Sequence, residues 1–309
     1  MGYNMDRGMN KIIIVTRKTR LSELIYKYNT FEQAKFYIEH MGADFSDYIR
    51  EDETYRSAVC TVTESCERLA RVQIVDRESV PNMIFGENDI VVAVGQDGIV
   101  ANTMKYLDGQ PLIGINPDIR RWDGVLLPFE PGQISDIASK VIKGNFREKT
   151  VNMAEAVTTD GQHMLAVNDL FIGQKTHVSA RYEICFQNRT ENQSSSGIII
   201  STGLGSTGWY RSVMAQLAAM QGSTGGSRET MRWDEERLKF VVREPFPSKT
   251  TRADIVFGDI KAGDTFRLVS KMPENGVIFS DGVEQDAIDF VAGMEVVIQS
   301  AAKKGRLVC

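Results

Sequence analysis

The chain has 309 residues, enough for two domains, and its 42% hydrophobic and 25% charged residues are ordinary values for a globular protein. Its 36 Lys and Arg against 41 Asp and Glu give a net charge of −5, which argues against a surface for nucleic acid. The sequence shows neither the roughly 18 to 20 consecutive apolar residues of a membrane span nor a signal-peptide core. We therefore expect a cytoplasmic protein without membrane contact.

The first half of the sequence alternates strand and helix patterns. Continuous apolar runs typical of buried strands occur at Lys11–Thr16, Asp89–Gly95 and Pro111–Ile115. Helical spacing of apolar residues is found from Arg20 to Met41, and an i, i+3/i+4 stripe runs from Tyr55 to Val72. Strands without alternation, separated by helices, indicate a parallel sheet that is covered on both faces.

After a last helix at Ile134–Lys143 the second half becomes rich in strand patterns. Asp160-Gly161 joins two such runs and predicts a hairpin. Further runs are VSARYEICF, GIIIST, RLKFVVRE, ADIVF, TFRLVS, GVIFS and MEVVIQSA. Two N-glycosylation sequons, beginning at Asn188 and Asn192, predict a polar surface loop.

One strong helix interrupts these strands, beginning just after Gly205 and running towards Met220, and the Gly/Ser-rich stretch Gln221–Arg228 is expected to be a mobile loop. We therefore predict an α/β fold with two domains. Residues 1–145 form an N-terminal parallel-sheet domain, and residues 146–309 form a larger β-sandwich-like domain whose C-terminus can pack back on the first.

The first motif that carries chemistry is Gly95-Gln96-Asp97-Gly98, between an apolar strand and a helix. Ligands of open α/β sheets bind at the carboxyl ends of the strands, and helix-start N–H groups favour a phosphate there. The flanking glycines let the backbone approach a ligand closely. An ordinary strand-to-helix turn has the same pattern, so both interpretations stay open.

The second motif is the pair Asn168-Asp169, which lies within the apolar run Leu165–Phe171. Adjacent amide and carboxylate groups in such a run are costly unless they find partners. Together they can hydrogen-bond both hydroxyls of a ribose. A bulge or turn capped by Asn-Asp explains the pattern equally well.

The third motif, Ser201–Tyr210, links a strand to the strong helix. Its small residues expose helix-start donors, Ser206 or Thr207 can cap the helix, and Trp209 offers a flat face for a ring. The alternative is a glycine-rich connector with a core tryptophan. A fourth element, Ser280-Asp281-Gly282, is most simply a hairpin turn.

The order of these four motifs resembles that of the NAD kinase family over nearly the whole length of the chain. The family has a GGDG turn, then Asn-Glu, then T-x-T-G-S-T-A-Y, then a late Asp-Gly. Gly114-Ile115-Asn116 with the segment DIRRWDGVLLP, Ser195-Ser196-Gly197 and Trp209 look more like the mitochondrial-type branch.

The resemblance implies a role for each matching residue. Asp97 corresponds to the aspartate that accepts the proton of the adenosine ribose 2′-hydroxyl, and Gly95 and Gly98 belong to the phosphate-approaching turn. Asn168 and Asp169 correspond to the pair that holds the ribose. The remaining residues expected to bind the dinucleotide are Ser206, Thr207, Gly208, Trp209, Ser212 and Asp281.

The activity that the resemblance implies is transfer of the terminal phosphoryl group of ATP to the 2′-hydroxyl of NAD(H), which makes NADP(H). Mg²⁺ is expected with ATP rather than at a metal site of the protein, and a homodimer or homotetramer with a shared pocket is expected. The family's second glycine is Gln96 here, its threonine is Ile99, a common basic residue is Asn102, and its glutamate is Asp169, which reaches about 1.5 Å less far.

Two alternatives remain at the level of sequence. The changes at Gln96 and Ile99 are compatible with a nucleotide-binding protein whose catalysis is weakened. A kinase of another alcohol, a lipid or a sugar, is the other alternative, since related folds use similar turns. The Asn168-Asp169 pair and Trp209 argue against it, because a lipid needs neither ribose recognition nor a platform for a ring.

Overall fold

The computed structural model of the chain describes residues 11–222 and 230–309, and it divides into two compact units. The first unit ends at Lys149 and also contains Arg306–Cys309, and the second is Thr150–Gly305. The described residues include no helix that is both long enough and apolar enough to cross a bilayer.

The first unit is built on a parallel sheet. Its strands and α-helices are β1 (Lys11–Thr16), α1 (Arg20–Tyr28), α2 (Phe31–His40), α3 (Phe45–Glu67), β2 (Arg71–Asp76), β3 (Ile90–Val94), α4 (Asp97–Met104), β4 (Leu112–Ile115) and α5 (Ile134–Ile142), with short 3₁₀ helices at Arg77–Asn82 and Pro131–Gln133. The parallel strand order is β2-β1-β3-β4. Near the C-terminus, Leu307 pairs in parallel with Leu112 of β4. Every residue of β3 is buried, which explains its continuous apolar run.

Two predictions for helices in this unit were wrong in detail. The helical region Arg20–Met41 is two helices, because Asn29 adopts a φ of +67° and the Thr30 side chain caps the second helix. Val72, which was expected in the preceding helix, lies in strand β2. The strand is at the edge of the sheet and mostly exposed, so its sequence lacks a strand-like apolar run.

The second unit is a sandwich of two mainly antiparallel sheets. Its strands and helix are β5 (Glu148–Thr158), β6 (His163–Ala166), β7 (Asp169–Gln174), β8 (Ala180–Phe186), β9 (Arg189–Ser195), β10 (Ile198–Ser201), α6 (Trp209–Met220), β11 (Leu238–Val242), β12 (Phe257–Ile260), β13 (Phe266–Ser270), β14 (Gly276–Ser280), β15 (Val283–Asp289) and β16 (Glu295–Val308), and a 3₁₀ helix spans Gly205–Thr207.

One sheet of this unit contains β5, β6, β16, β13, β8 and β9, and the other has the order β12-β11-β10-β7-β14-β15. Inward side chains of both sheets form one apolar core, with Tyr182 and Phe266 from the first and Ile172 and Phe240 from the second. The predicted fold class, α/β with a parallel sheet followed by antiparallel sheets, is confirmed.

The polar loop predicted around the two sequons is in fact the β8–β9 hairpin. Gln187 and Asn188 make its turn with φ of +49° and +60°, and β9 pairs with β8 along its whole length. The strand buries polar side chains such as Gln193, whose Oε1 accepts a hydrogen bond from the Tyr182 hydroxyl at 2.9 Å. Hydrophobic alternation therefore could not reveal it.

Two other predictions concern segments within the second half of the chain. The run ADIVF is a strand only from Phe257 onward. Of the predicted Gly/Ser-rich loop, residues 223–228 lie outside the described residues.

Candidate active site

Asp97 stands at the carboxyl end of β3, where the parallel strand gives way to helix α4. Gly95 makes the turn with a φ of +155°, and α4 begins at Asp97 itself. The Asp97 side chain is half-buried, and its Oδ1 accepts a hydrogen bond from the backbone N–H of Leu126 at 2.7 Å. The carboxylate is therefore held in place at the sheet edge where ligands of such folds bind.

Leu126 reaches Asp97 because its segment packs closely on strand β4. A Cβ atom on Gly114 would lie only 2.1 Å from the carbonyl oxygen of Leu126, so only glycine allows this approach. Gly124 turns the segment with a φ of +63°, and the Asn116 amide donates to the Trp122 carbonyl at 2.9 Å. The role of Leu126 was not predicted from the sequence, although a glycine inside an apolar strand was a signal for close backbone packing.

Three residues depart from the family's first motif, and two of them, Ile99 and Asn102, are buried. Gln96 has a φ of −116°, so its position needs no glycine for backbone reasons. Ile99 is 2% exposed, and its Cγ2 would lie 3.2 Å from a Cβ atom on Gly95. Asn102 is buried and its amide donates to the Gly98 carbonyl at 2.8 Å. Ile99 and Asn102 therefore pack against the turn from inside the protein.

A second support for this turn comes from Arg17 and Tyr55. The backbone N–H of Arg17 donates to the Tyr55 hydroxyl at 2.8 Å, and that hydroxyl donates to the Val94 carbonyl at 3.1 Å. Burial raises the pKa of the Tyr55 hydroxyl, which keeps it protonated as a donor. The Arg17 guanidinium pairs with Glu51 at 2.9 Å. The end of β3 is therefore tied to helix α3 immediately before Asp97.

In the second unit, Asp281 organises the segment that contains Asn168 and Asp169. Its Oδ2 accepts the backbone N–H of Val167 at 3.0 Å, and its Oδ1 accepts that of Asn168 at 2.6 Å and that of Asp169 at 3.4 Å. Asp281 occupies the predicted hairpin turn between β14 and β15 with a φ of +54°. A residue expected to bind the dinucleotide thus shapes the turn that presents the Asn-Asp pair.

The glycine-rich third motif packs against the same segment. The Thr202 hydroxyl donates to the Val167 carbonyl at 2.6 Å, and the Thr202 N–H donates to the Asn168 carbonyl at 2.9 Å. A Cβ atom on Gly205 would lie 2.0 Å from the Asn168 carbonyl oxygen, so this contact requires glycine. Three motifs that are distant in sequence therefore meet around Asn168.

Burial next to Asp281 makes Asp169 an unusual carboxyl group. Desolvation, and secondarily the negative charge of Asp281, raises the pKa of Asp169 to about 7. Near neutral pH the group is present in both protonation states, so it can donate a hydrogen bond to a ribose oxygen or accept one from a ribose hydroxyl. A strongly perturbed buried carboxyl group of this kind is typical of a functional site.

Of the third-motif residues expected to bind the dinucleotide, some are buried and others are exposed. The Ser206 hydroxyl is buried and donates to the Gly203 carbonyl at 2.7 Å, whereas Thr207 and Gly208 are exposed. Trp209 is half-buried and stacks on Phe171 with ring centroids 5.6 Å apart.

Trp209 and Ser212 together line a cavity of about 400 Å³. The Arg243 guanidinium, which lines the same cavity, lies 5.5 Å from the centroid of the Trp209 ring. Asn168, Asp169 and Asp281 do not line this cavity. The structure of the second unit thus brings Asn168, Asp169 and Asp281 together and places Trp209 and Ser212 at a separate opening.

Replacing Asp281 tests its role in shaping the turn. We expect Asp281→Ala to lower the free energy of unfolding by about 3 kcal/mol, because it leaves backbone N–H groups unpaired and puts alanine at positive φ. Asp281→Asn keeps one acceptor and a residue type that tolerates this φ, so about half that loss is expected. Urea unfolding of the two variants measures the difference, and equal losses would contradict the role of the side-chain oxygens.

A metal site built from the protein's own side chains was not expected. Within residues 11–222 and 230–309, the structure contains no group of three or more His, Cys, Asp or Glu residues placed to hold a metal ion. The expected convergence of Asp97 with the Asn168 segment stays a prediction.

Known proteins similar to this chain are NAD kinases, although no family model matches it. The NAD kinase of Chlorobium phaeobacteroides is 29% identical over 209 residues, which are 64% of this chain and 64% of that protein. The NAD kinase of Saccharolobus solfataricus is 29% identical over 129 residues, 42% of this chain and 49% of that protein. The chain thus covers about half to just under two thirds of these relatives.

Solved structures show the same fold at low sequence identity. Yeast NADH kinase in complex with NADH has a TM-score of 0.58 and 14% identity, covering 98% of this chain and 84% of that one. An NAD kinase from Archaeoglobus fulgidus in complex with ATP has a TM-score of 0.56 and 15% identity, covering 97% and 93%.

Proposed function

We propose that this chain, which is related to the NAD kinases in sequence and has their fold, is itself an NAD kinase that makes NADP(H) from NAD(H) and ATP. The observation that carries the proposal is the convergence of three motifs in the second unit. Asp281 and Thr202 both hold the backbone of residues 167–169, which presents Asn168 and the buried carboxyl group of Asp169. Such a pair suits the hydroxyls of a ribose.

Asp97 is the proposed catalytic base. The 2′-oxygen of the adenosine ribose forms a bond to the γ-phosphorus of ATP as the bond from that phosphorus to the β,γ-bridging oxygen breaks and ADP leaves. The hydroxyl proton passes to the carboxylate. Since Oδ1 of Asp97 accepts the Leu126 N–H, Oδ2 is the oxygen proposed to take the proton. Phosphoryl transfer depends mainly on positioning, which suits a carboxylate fixed at a sheet edge.

Donor phosphates are proposed to approach the turn at Gly95 and Gly98. Gly98 is exposed and a Cβ atom there would meet no neighbour within 4 Å, so the backbone is open at this point. The first N–H groups of helix α4 and its dipole favour negative charge there. Mg²⁺ is proposed to arrive on the ATP phosphates as part of the substrate and to neutralise their charge.

Three further features belong to the proposal. A homodimer or homotetramer in which neighbouring subunits share the dinucleotide pocket is proposed, and light scattering would measure it. The cytoplasm is the proposed compartment. Membership of the mitochondrial-type branch stays a prediction, which the preference for NADH over NAD as acceptor would help to test.

Product analysis is the direct test of the proposed activity. The purified chain is incubated with MgATP and either NAD or NADH, and the products are separated and compared with authentic NADP and NADPH. Formation of a dinucleotide phosphorylated at the 2′-position, with one ADP for each, supports the proposal. Binding of NAD measured by calorimetry without any such product would instead favour a nucleotide-binding protein that has lost catalysis.

The glutamine at position 96 is the reason to consider a nucleotide-binding protein without catalysis, and the variant Gln96→Gly tests it. Because Gln96 has a φ of −116°, glycine brings no backbone relief, and we expect Gln96→Gly to change kcat by less than about threefold. The rate of NADP formation under saturating substrates measures this. A rise of tenfold or more would show that the glutamine side chain obstructs the donor and that the natural enzyme is weakened.

A further inference from the structure

A second cavity of the C-terminal unit is used by none of the motifs above. It measures about 450 Å³, within the range of small-molecule sites. Its lining is polar apart from one exposed phenylalanine and one buried tyrosine, and consists of Arg181, Tyr182, Asn192, Gln193, Ser194, Phe246, Ser248, Thr250, Thr251 and Lys271. It shares no lining residue with the cavity at Trp209.

The charge of this cavity is positive although the chain as a whole is negative. Arg181 and Lys271 line it, and none of its ten lining residues is acidic. Within the described part of the chain, Arg181 is exposed and its side chain makes neither an ion pair nor a hydrogen bond. Lys271 contacts the Asn192 amide oxygen and forms a long ion pair with Glu183, whose carboxylate is 3.9 Å from its Nζ. Arg181 is therefore the cation of the cavity without an ion-pair partner among the described residues, and Lys271 is only weakly paired.

Backbone contacts keep the two cations side by side. The Lys271 N–H donates to the Arg181 carbonyl at 2.9 Å, which fixes the two residues next to each other. A neighbouring cavity of about 310 Å³ is also lined by both Arg181 and Lys271, so these side chains stand between two openings.

Another part of the lining is a loop rich in hydroxyl groups. Its residues Ser248 and Thr251 are joined by a hydrogen bond of 2.8 Å between their hydroxyls, and the Phe246 N–H donates to the Ser194 carbonyl at 2.8 Å. The same loop carries the exposed cations Lys249 and Arg252. The loop is thus anchored to strand β9, and its Ser248, Thr250 and Thr251 add hydroxyl donors to the lining of the cavity.

We propose that this cavity binds a phosphate-bearing small molecule, with the phosphate between Arg181 and Lys271. A guanidinium fork and an ammonium group are the side chains that recognise phosphate oxygens best, and hydroxyl donors complete such sites. The exposed ring of Phe246 offers an apolar wall for the remainder of the ligand. Since it involves none of Asp97, Asn168, Asp169 or Asp281, the site does not depend on the proposed kinase activity.

Calorimetric titration with inorganic pyrophosphate tests this site. The wild-type chain is compared with the double variant Arg181→Gln/Lys271→Gln and with the control Arg189→Gln/Lys261→Gln. The control removes the same charge from exposed positions outside the cavity. We expect the first variant to lose at least tenfold in affinity or one molar equivalent of bound pyrophosphate, and the control to stay within twofold of wild type.

Several results would overturn the proposal. One such result is that the wild type does not bind pyrophosphate at millimolar concentration. If both double variants bound it equally well, the pyrophosphate would bind at another site. If both bound it equally poorly, the loss would be an effect of total charge. Thermal unfolding confirms that both variants are folded. NADP formation is measured in parallel. If the wild-type chain lacks kinase activity but binds pyrophosphate, and only the first double variant loses this binding, the result still supports the site.

Discussion

Replacing Asp97 by asparagine is expected to lower kcat for NADP formation by about 10³-fold, roughly 4 kcal/mol of transition-state stabilisation, while the Kd for NAD stays within about threefold. The asparagine carbonyl can still accept the Leu126 N–H, so the turn keeps its geometry. What the variant loses is the group that takes the hydroxyl proton. Steady-state kinetics and calorimetry with NAD separate the two effects.

A suitable control for Asp97→Asn is Asp136→Asn. Asp136 also lies in the first turn of a helix of the same unit, α5, and is exposed. Its replacement is expected to leave kcat within about twofold. If Asp97→Asn retained a tenth or more of the wild-type rate, Asp97 would have no part as a base, and the proposed mechanism would fail at its central step.

Asp169→Asn is expected to stabilise the protein increasingly as the pH rises. The folded-state pKa of Asp169 is raised to about 7, whereas its ordinary value is 3.8. Its stabilising contribution is therefore greatest below pH 4 and is lost as the pH rises through 7, because the folded chain must then hold a buried charge beside Asp281. Between pH 5 and pH 8 the advantage of the asparagine variant should grow by about 2–3 kcal/mol.

Urea unfolding at pH 5 and pH 8 measures this advantage, with Asp289→Asn as the control. Asp289 is exposed on β15, and its variant should show a similar difference from wild type at both pH values. If the asparagine variant at position 169 gained no more stability at pH 8 than at pH 5, the buried environment assigned to Asp169 would be wrong. The same variant should also weaken NAD binding, if Asp169 contacts the ribose as proposed.

Much of the fold was predictable because local sequence patterns suffice for it. The apolar strands β1, β3 and β4 were predicted within a residue or two, and they indicate a parallel sheet. Strand β9 was not predictable, since the partners of its buried polar side chains come from other parts of the chain. Whether a glutamine such as Gln193 is buried depends on Tyr182, which no local pattern identifies.

The motifs themselves were also evident in the sequence, but what each side chain does was not. Asp97 lies at the carboxyl end of β3, as its place between strand and helix predicted. Asp281 was expected in a hairpin turn and as a binding residue, and its carboxylate also holds the backbone of residues 167–169. Its partners lie more than a hundred positions earlier in the chain.

The sequence alone therefore determined the class of fold, the order of the motifs and the resemblance to the NAD kinases, because these depend on residue types and their spacing. The tertiary structure decided which backbone groups those residues bind, that Gln96 needs no positive φ, and that Asp169 is buried beside Asp281. The physical reason is that hydrogen bonds, burial and charge repulsion act between atoms that are close in space. Folding brings together residues that are far apart in the sequence.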